Sequence, residues 1–426
     1  MIERVVIVSD DAVESGGAAG IALSSARLLS GRGIPVTILN GSGGEGSAAL
    51  GAGIEVHSLG SRSLIQGSRG TAAARGLFSR AALGFVDRWI RENDTPGTVY
   101  HLHNWHKVLS PSAFVPLRRV ADRLLMTAHD YFLVCPNGGQ FEFPRGEACE
   151  RVPLSLGCVA TNCDRRHFAH KLWRVGRHVV REATFDLAHS PASVVAVHEG
   201  MRPYLIRGGV APDAIAVLRN PVLPWRTERI RAEQNREVVF VGRLERDKGV
   251  DVVAAAARDA KVPLCVVGDG PLKDELSAIY PEARLLGWRS PSEISALVET
   301  ARLIVVPTRW RETFGLVTLE AAMSGLPVIV SRHALIAPEV VDTGCAEACD
   351  PDDRVGLAAQ LARLATDDLH VRRMSEAGFY HGRSLAPTPE AWCDGLIALY
   401  RAKLSAASVE LRPPPAVGTL AALGQR

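Results

Sequence analysis

Short β-branched runs recur along this chain with helix-patterned stretches between them, and that alternation limits the fold more than any other feature. The runs VVIV (5–8), VTIL (36–39), VYHLH (99–103), LLMT (124–127) and AIAVL (214–218) come first. Between them lie segments such as 21–33, where Ile21, Leu28 and Leu29 share a helical stripe that Gly31 and Gly33 bring to an end. Such alternation is the signature of parallel sheets covered by helices, an α/β fold. Around 222–237 the sequence turns polar and carries no strand, after which VVFVG (238–242) restarts the rhythm, followed by LCVVG (264–268), RLLG (284–287), LIVVP (303–307) and PVIVS (327–331). Two doubly wound units are therefore expected, over 1–221 and 238–386. The length of 426 residues agrees, being more than one core usually serves. A cleft between two such units is a common place for a ligand.

Charge narrows the partners. A formal +3 with 22% charged residues is too sparse for wrapping nucleic acid, so no nucleic-acid partner is expected. The opening MIERVVIVSD lacks the apolar core of a signal peptide, and no stretch reaches the roughly 18 apolar residues of a membrane span. A cytoplasmic location is the resulting expectation, with the eight cysteines as free thiols or metal ligands. The proline-bearing stretch 403–426 is expected to be a flexible tail.

Two segments of the second unit carry chemistry. VVFVG runs through RLERDKG into a helix-like stretch, so Arg243 lies just past a strand end and Lys248 at the mouth of the next helix. Two cations beside a helix amino terminus suit a diphosphate, although an ordinary solvated loop would also carry them. The second segment, ETFGLVTLEAAMSGLPVI (312–329), puts Glu312 in a loop above the sheet and Glu320, eight residues on, within a helix. One carboxylate can then face sugar hydroxyls while the other accepts hydrogen bonds from a ribose. The amides of Thr313, Phe314, Gly315 and Leu316 are free donors at that helix start.

GRLERDKG (242–249) followed by ETFGLVTLEAAMSGLPVI resembles the donor half of the glycogen-synthase-like family 4 glycosyltransferases, which have the GT-B fold and retain anomeric configuration. The resemblance implies two Rossmann-like domains and a last helix, here 387–402, that crosses back to the first domain with Trp392, Leu396, Ile397 and Tyr400 on its apolar face. It implies a UDP- or GDP-linked sugar donor and transfer of a hexosyl unit to a glycan or lipid-linked acceptor in cell-envelope, lipopolysaccharide or exopolysaccharide synthesis. Glu312 would contact the sugar, Glu320 the ribose, and Arg243 and Lys248 the diphosphate. Gly242, Gly268 and Gly287 would line the nucleotide pocket, and a loop bearing Gly16 and Gly17 would close over the donor. By the same resemblance His129 lies beside the donor sugar and shares the catalytic role with Arg243, Lys248 and Glu312. From their places at strand ends, His103, Asn104 and Asp130 are candidates for the acceptor side, with a structural histidine as the alternative for His103. No cofactor is required for such chemistry, since the two cations neutralise the leaving diphosphate.

Two features stand apart from the motifs. Cys135, Cys149, Cys158 and Cys163 share one stretch at irregular intervals, which leaves a structural zinc and a loop of buried thiols both open. After them Phe168, Leu172, Val175 and Val179 form an apolar stripe flanked by cations, fit either to pack on the domain or to rest on an anionic membrane at the inner face of the cell. The competing functions are a nucleotide-sugar epimerase of similar architecture and a sugar-nucleotide-binding module without catalysis.

Overall fold

The computed structural model describes residues 1–11, 17–43, 50–61 and 69–410. The expected loop glycine Gly16 and residues 411–426 lie outside them. The first domain contributes β1 (Arg4–Ser9), β2 (Val36–Asn40), β3 (Ile54–Ser58), β4 (Thr98–Leu102), β5 (Leu124–Ala128), a small hairpin of β6 (Phe141–Glu142) and β7 (Glu147–Ala148), then β8 (Ser193–Ala196) and β9 (Ile215–Val217). Among the described residues these give a seven-stranded sheet in the order β3-β2-β1-β4-β5-β8-β9, parallel throughout.

The second domain repeats the plan with β10 (Glu237–Val241), β11 (Leu264–Val267), β12 (Arg284–Gly287), β13 (Ala301–Val306), β14 (Val328–Ser331) and β15 (Ala346–Cys349). Its order is β12-β11-β10-β13-β14-β15, again parallel. Central strands such as β1 and β13 are apolar on both faces because helices cover both sides of each sheet. The strand order reverses beside β1 and beside β10, and crevices at the carboxyl ends of such sheets are where ligands bind. The architecture is GT-B.

The helix Pro389–Glu410 closes the fold. Trp392, Leu396, Ile397, Tyr400 and Leu404 are buried in one cluster with Val5, Ile7, Ile38, Val99 and Leu125 of the first domain. Tyr400 also makes a 2.7 Å hydrogen bond to His101 Nδ1 at the heart of β4. The helix runs on past residue 402, where a tail was expected to begin, because Leu404 and Ala407 still have apolar surface to cover.

The two connections between the domains run side by side, the Val222 amide donating to the Pro387 carbonyl at 3.4 Å. Beside them Arg219 grips both carboxylate oxygens of Glu339 at 2.6 and 2.8 Å and donates to the Leu385 carbonyl at 2.9 Å, while His198 Nε2 lies 2.8 Å from the same carboxylate. Glu339 belongs to the second domain, so one carboxylate fastens three parts of the hinge.

Burying a large apolar side chain stabilises a fold by roughly 1.5–3 kcal/mol. Losing the five of them on this helix therefore removes an amount comparable to the whole stability of a domain. Truncation before Pro387 is expected to abolish the cooperative thermal transition of the first domain, whereas truncation after Glu410 leaves it in place. An unchanged transition in the shorter chain would show that the helix is dispensable.

Candidate active site

The donor-side motifs fall together at the carboxyl edge of the second sheet. After β10 the chain turns at Gly242 and delivers Arg243, Glu245, Asp247 and Lys248 in a single loop. Gly268, after β11, faces this turn so closely that a Cβ there would collide with the Gly242 carbonyl oxygen, and its φ of +138° suits glycine alone. After β13 the loop 307–315 leads through Glu312 into the helix Leu316–Met323, whose first turn leaves backbone amides without intrahelical acceptors. Gly287 closes β12 at the same edge, and the following Trp288 amide donates to Asp269 at 2.8 Å.

Lys248 Nζ lies 3.2 Å from Glu312 Oε1, so the residues expected to hold phosphate and sugar meet each other. Both side chains are under one-fifth exposed, and Lys248 also stands 5.4 Å from the centre of the Trp310 ring. Trp310 escaped the sequence reading, although an aromatic two residues before the first glutamate is a usable signal. Among the described residues, the other oxygen of Glu312 is buried without a hydrogen-bond partner, and so is Oδ1 of Asp247. Arg243, the more exposed cation, donates to Glu245 at 2.8 Å. Glu320 lies inside the helix as expected, and burial pushes its carboxyl up to about 7.

The first domain supplies the opposite wall. The Thr313 hydroxyl donates to the backbone carbonyl of His129 at 2.7 Å, so the end of β5 touches the loop of the glutamate motif directly. Gly17 makes a second close approach, since a Cβ there would come within 3.2 Å of Leu316 Cδ1. His129 Nε2 lies 3.0 Å from His103 Nδ1, and burial holds both imidazoles below their ordinary range, His129 down to about 4. Both rings are thus neutral, one donating to the other. His103 is buried against His129, and its Nε2 has no hydrogen-bond partner among the described residues. His103, Asn104, His129 and Asp130 line one small cavity. Burial pushes the Asp130 carboxyl up to about 6. Asp10, at the end of β1, is fully buried and accepts the amides of Lys107, Val108 and Leu109 at 2.7–2.9 Å, so it fixes the loop after β4.

Two features outside the motifs bear on alternatives left open by the sequence. The apolar stripe of the helix Phe168–Thr184 does not pack inward: Phe168, Leu172 and Val179 face solvent, while Lys171, Arg177, His178 and Arg181 are buried. The cations can turn inward because aromatic faces and carbonyls receive them. Arg177 stands 5.0 Å from the Phe132 ring and 5.2 Å from Trp173 and donates to the His106 carbonyl at 3.0 Å, although burial lowers it to about 9. In the cysteine stretch Cys135, Cys158 and Cys163 are buried thiols. Lys171 Nζ stands 3.5 Å from Cys158 Sγ, and Arg151 is 3.8 Å from Cys149 Sγ. Among the described residues no group of three or more His, Cys, Asp or Glu side chains is arranged to hold a metal ion.

Comparison with known proteins agrees with this geometry. Residues 224–380 match the family described as Glycosyl transferases group 1. The glycogen synthase of Mycobacterium tuberculosis is 30% identical over 216 residues, covering 47% of this chain and 51% of that protein. The chain thus spans about half the length of the curated relatives it matches. Among solved structures, sucrose-phosphate synthase from Thermosynechococcus elongatus superposes with a TM-score of 0.70 at 18% identity, over 95% of this chain and all of that one (100%). Anabaena HepE in complex with UDP and glucose gives 0.61 at 16% identity, over 94% and 100% of the two chains. The donor-side motif residues gather at one sheet edge, and the segment 224–380 that spans them matches the glycosyl transferases group 1 within a chain of GT-B fold.

Proposed function

We propose that the protein transfers a hexosyl unit, with retention, from a UDP- or GDP-linked sugar to a glycan or lipid-linked acceptor in cell-envelope or exopolysaccharide synthesis. The observation that carries this reading is the Lys248–Glu312 contact, with an unpartnered buried oxygen on Glu312, set against His129 across the cleft. A diphosphate drawn to Lys248 and Arg243 would loosen Glu312 to accept the sugar hydroxyls. The leaving diphosphate gathers charge as the glycosidic bond breaks, and the two cations with the amides of 313–316 offset it in a cleft shielded from water. Neutral His129 can donate or accept a hydrogen bond at the sugar without adding charge. Glu320, whose carboxyl burial raises to about 7, ionises more fully once ribose hydroxyls donate to it. An incubation of UDP- and GDP-hexoses without acceptor distinguishes the rival: isomerised donor would make the protein an epimerase.

The exposed stripe of Phe168, Leu172 and Val179 supports peripheral contact with an anionic membrane, where a lipid-linked acceptor would be held. Among the described residues no helix is long and apolar enough to cross a membrane. The protein should sediment with vesicles containing phosphatidylglycerol, and Leu172→Ser with Val179→Ser should reduce the bound fraction at least about threefold. Equal sedimentation of both proteins would exclude this face.

Glu312→Gln is expected to leave UDP or GDP affinity nearly unchanged and to lower turnover more than about tenfold, since it removes a sugar contact and spares the phosphates. Arg243→Ala and Lys248→Ala should each weaken nucleoside diphosphate binding in calorimetry by about 1–3 kcal/mol. Equal affinity in all three proteins would put the diphosphate elsewhere.

The zinc expectation for Cys135, Cys149, Cys158 and Cys163 rests on their shared loop, and an ion there would have to displace the Lys171 ammonium from Cys158. Elemental analysis decides it: about one equivalent, lowered in Cys158→Ser, is the zinc outcome, whereas metal-free folded protein assigns the loop to thiol packing around Lys171.

A further inference from the structure

Arg165 lies in the first domain, yet its guanidinium is paired with the phosphate loop of the second. It stands 2.9 Å from Glu245 Oε2 and 3.1 Å from Asp247 Oδ2. The same two carboxylates hold Arg243, whose guanidinium lies 2.8 Å from Glu245 Oε1 and 3.9 Å from Asp247 Oδ2. Two acids and two arginines thus form a neutral quartet across the cleft, and one of its arginines is the cation assigned to the diphosphate. Asp247 is almost wholly buried, so its charge is poorly screened by water.

The placement of Arg165 is specific. It follows Cys163 and Asp164 on the connection into the helix Phe168–Thr184. Buried Asp164 accepts the Arg166 amide at 2.9 Å and is ion-paired with the Arg174 guanidinium at 2.8 Å, while the Cys163 carbonyl accepts from Asn137 at 3.1 Å. These bonds fix the backbone on both sides of Arg165, and its side chain lies 5.0 Å from the Phe143 ring. A second contact from the same cysteine-bearing stretch, Glu150 to Arg311 at 3.4 Å, ties it to the loop of the glutamate motif.

We propose that Arg165 is a positioning residue for donor binding: it offsets one of the two charges of Glu245 and Asp247 so that Arg243 can leave them and turn to the diphosphate. This rests on the donor reading above. When Arg243 swings away, the acid pair would be left uncompensated next to an incoming polyanion, and repulsion would oppose binding. With Arg165 in place one of the two negative charges remains paired. Diphosphate affinity in the second domain therefore depends on a charge that the first domain lends, and only when the cleft is closed enough for the contact to form.

The test is calorimetry of UDP and GDP with the full chain. Arg165→Ala should weaken the better-bound nucleotide about tenfold, Arg165→Lys should recover part of the loss, and adding Glu245→Gln to Arg165→Ala should restore affinity toward wild type. Restoration separates charge compensation from mere bracing of the cleft, because a brace lost at Arg165 is not regained by removing its partner. Wild-type affinity in Arg165→Ala, or a deeper loss on adding Glu245→Gln, overturns the proposal while leaving the donor reading intact. A wild-type protein that binds neither nucleotide removes the donor reading and this inference together.

Discussion

The hydrogen bond from Tyr400 to His101, and the apolar face around it, return the last helix to the first domain, and the rest of the cleft depends on that return. Without it the domains would be joined by a single segment near 222. With it, two connections lie in register, Val222 against Pro387, and Glu339 fastens them through Arg219 and His198. A hinge built from two adjacent segments allows opening and closing and resists twisting. That restriction lets contacts as short as Thr313 to the His129 carbonyl recur each time the walls meet.

Within the cleft every donor-side cation already has a counter-ion. Lys248 holds Glu312, Arg243 holds Glu245, and Arg165 shares the acids of the phosphate loop. An array of bare cations would repel itself and would bind any anion. A paired array exchanges partners instead, so a ligand must offer both a diphosphate for the cations and hydroxyls for the released carboxylates. Under the proposed function, that double requirement would favour a sugar nucleotide over inorganic phosphate.

The sequence made the strands buried on both faces legible, since Val5–Val8 and Leu303–Val306 are continuous apolar runs. It concealed β3, an edge strand in which Ile54 alone is fully buried, and β15, whose Ala-Glu-Ala-Cys lacks any β-branched residue. The donor motifs were readable because each is local in the chain and its spacing fixes its geometry. Arg165 was not, because its significance lies in two carboxylates of the other domain. The helix Phe168–Thr184 misled periodicity for a related reason: aromatic rings from distant segments made burial of Arg177 acceptable, which freed the apolar stripe to face outward. His103 showed an imidazole at a strand end, but only the fold shows that it lies against His129.

In chain order the second domain interrupts the first: β1 to β9 come before it, and the helix Pro389–Glu410 completes their core after it. The donor half is thus an insert with both its ends at one hinge, and could be exchanged for that of a relative as a single cassette. The two splice points, near 222 and 387, are neighbours in space, so a transplanted domain would need to match one short span. What would have to travel with it, or be rebuilt, are the few charges that read across the seam: Glu339 for Arg219, Arg311 for Glu150, and the acids that Arg165 meets. Those seam residues set which two halves are compatible.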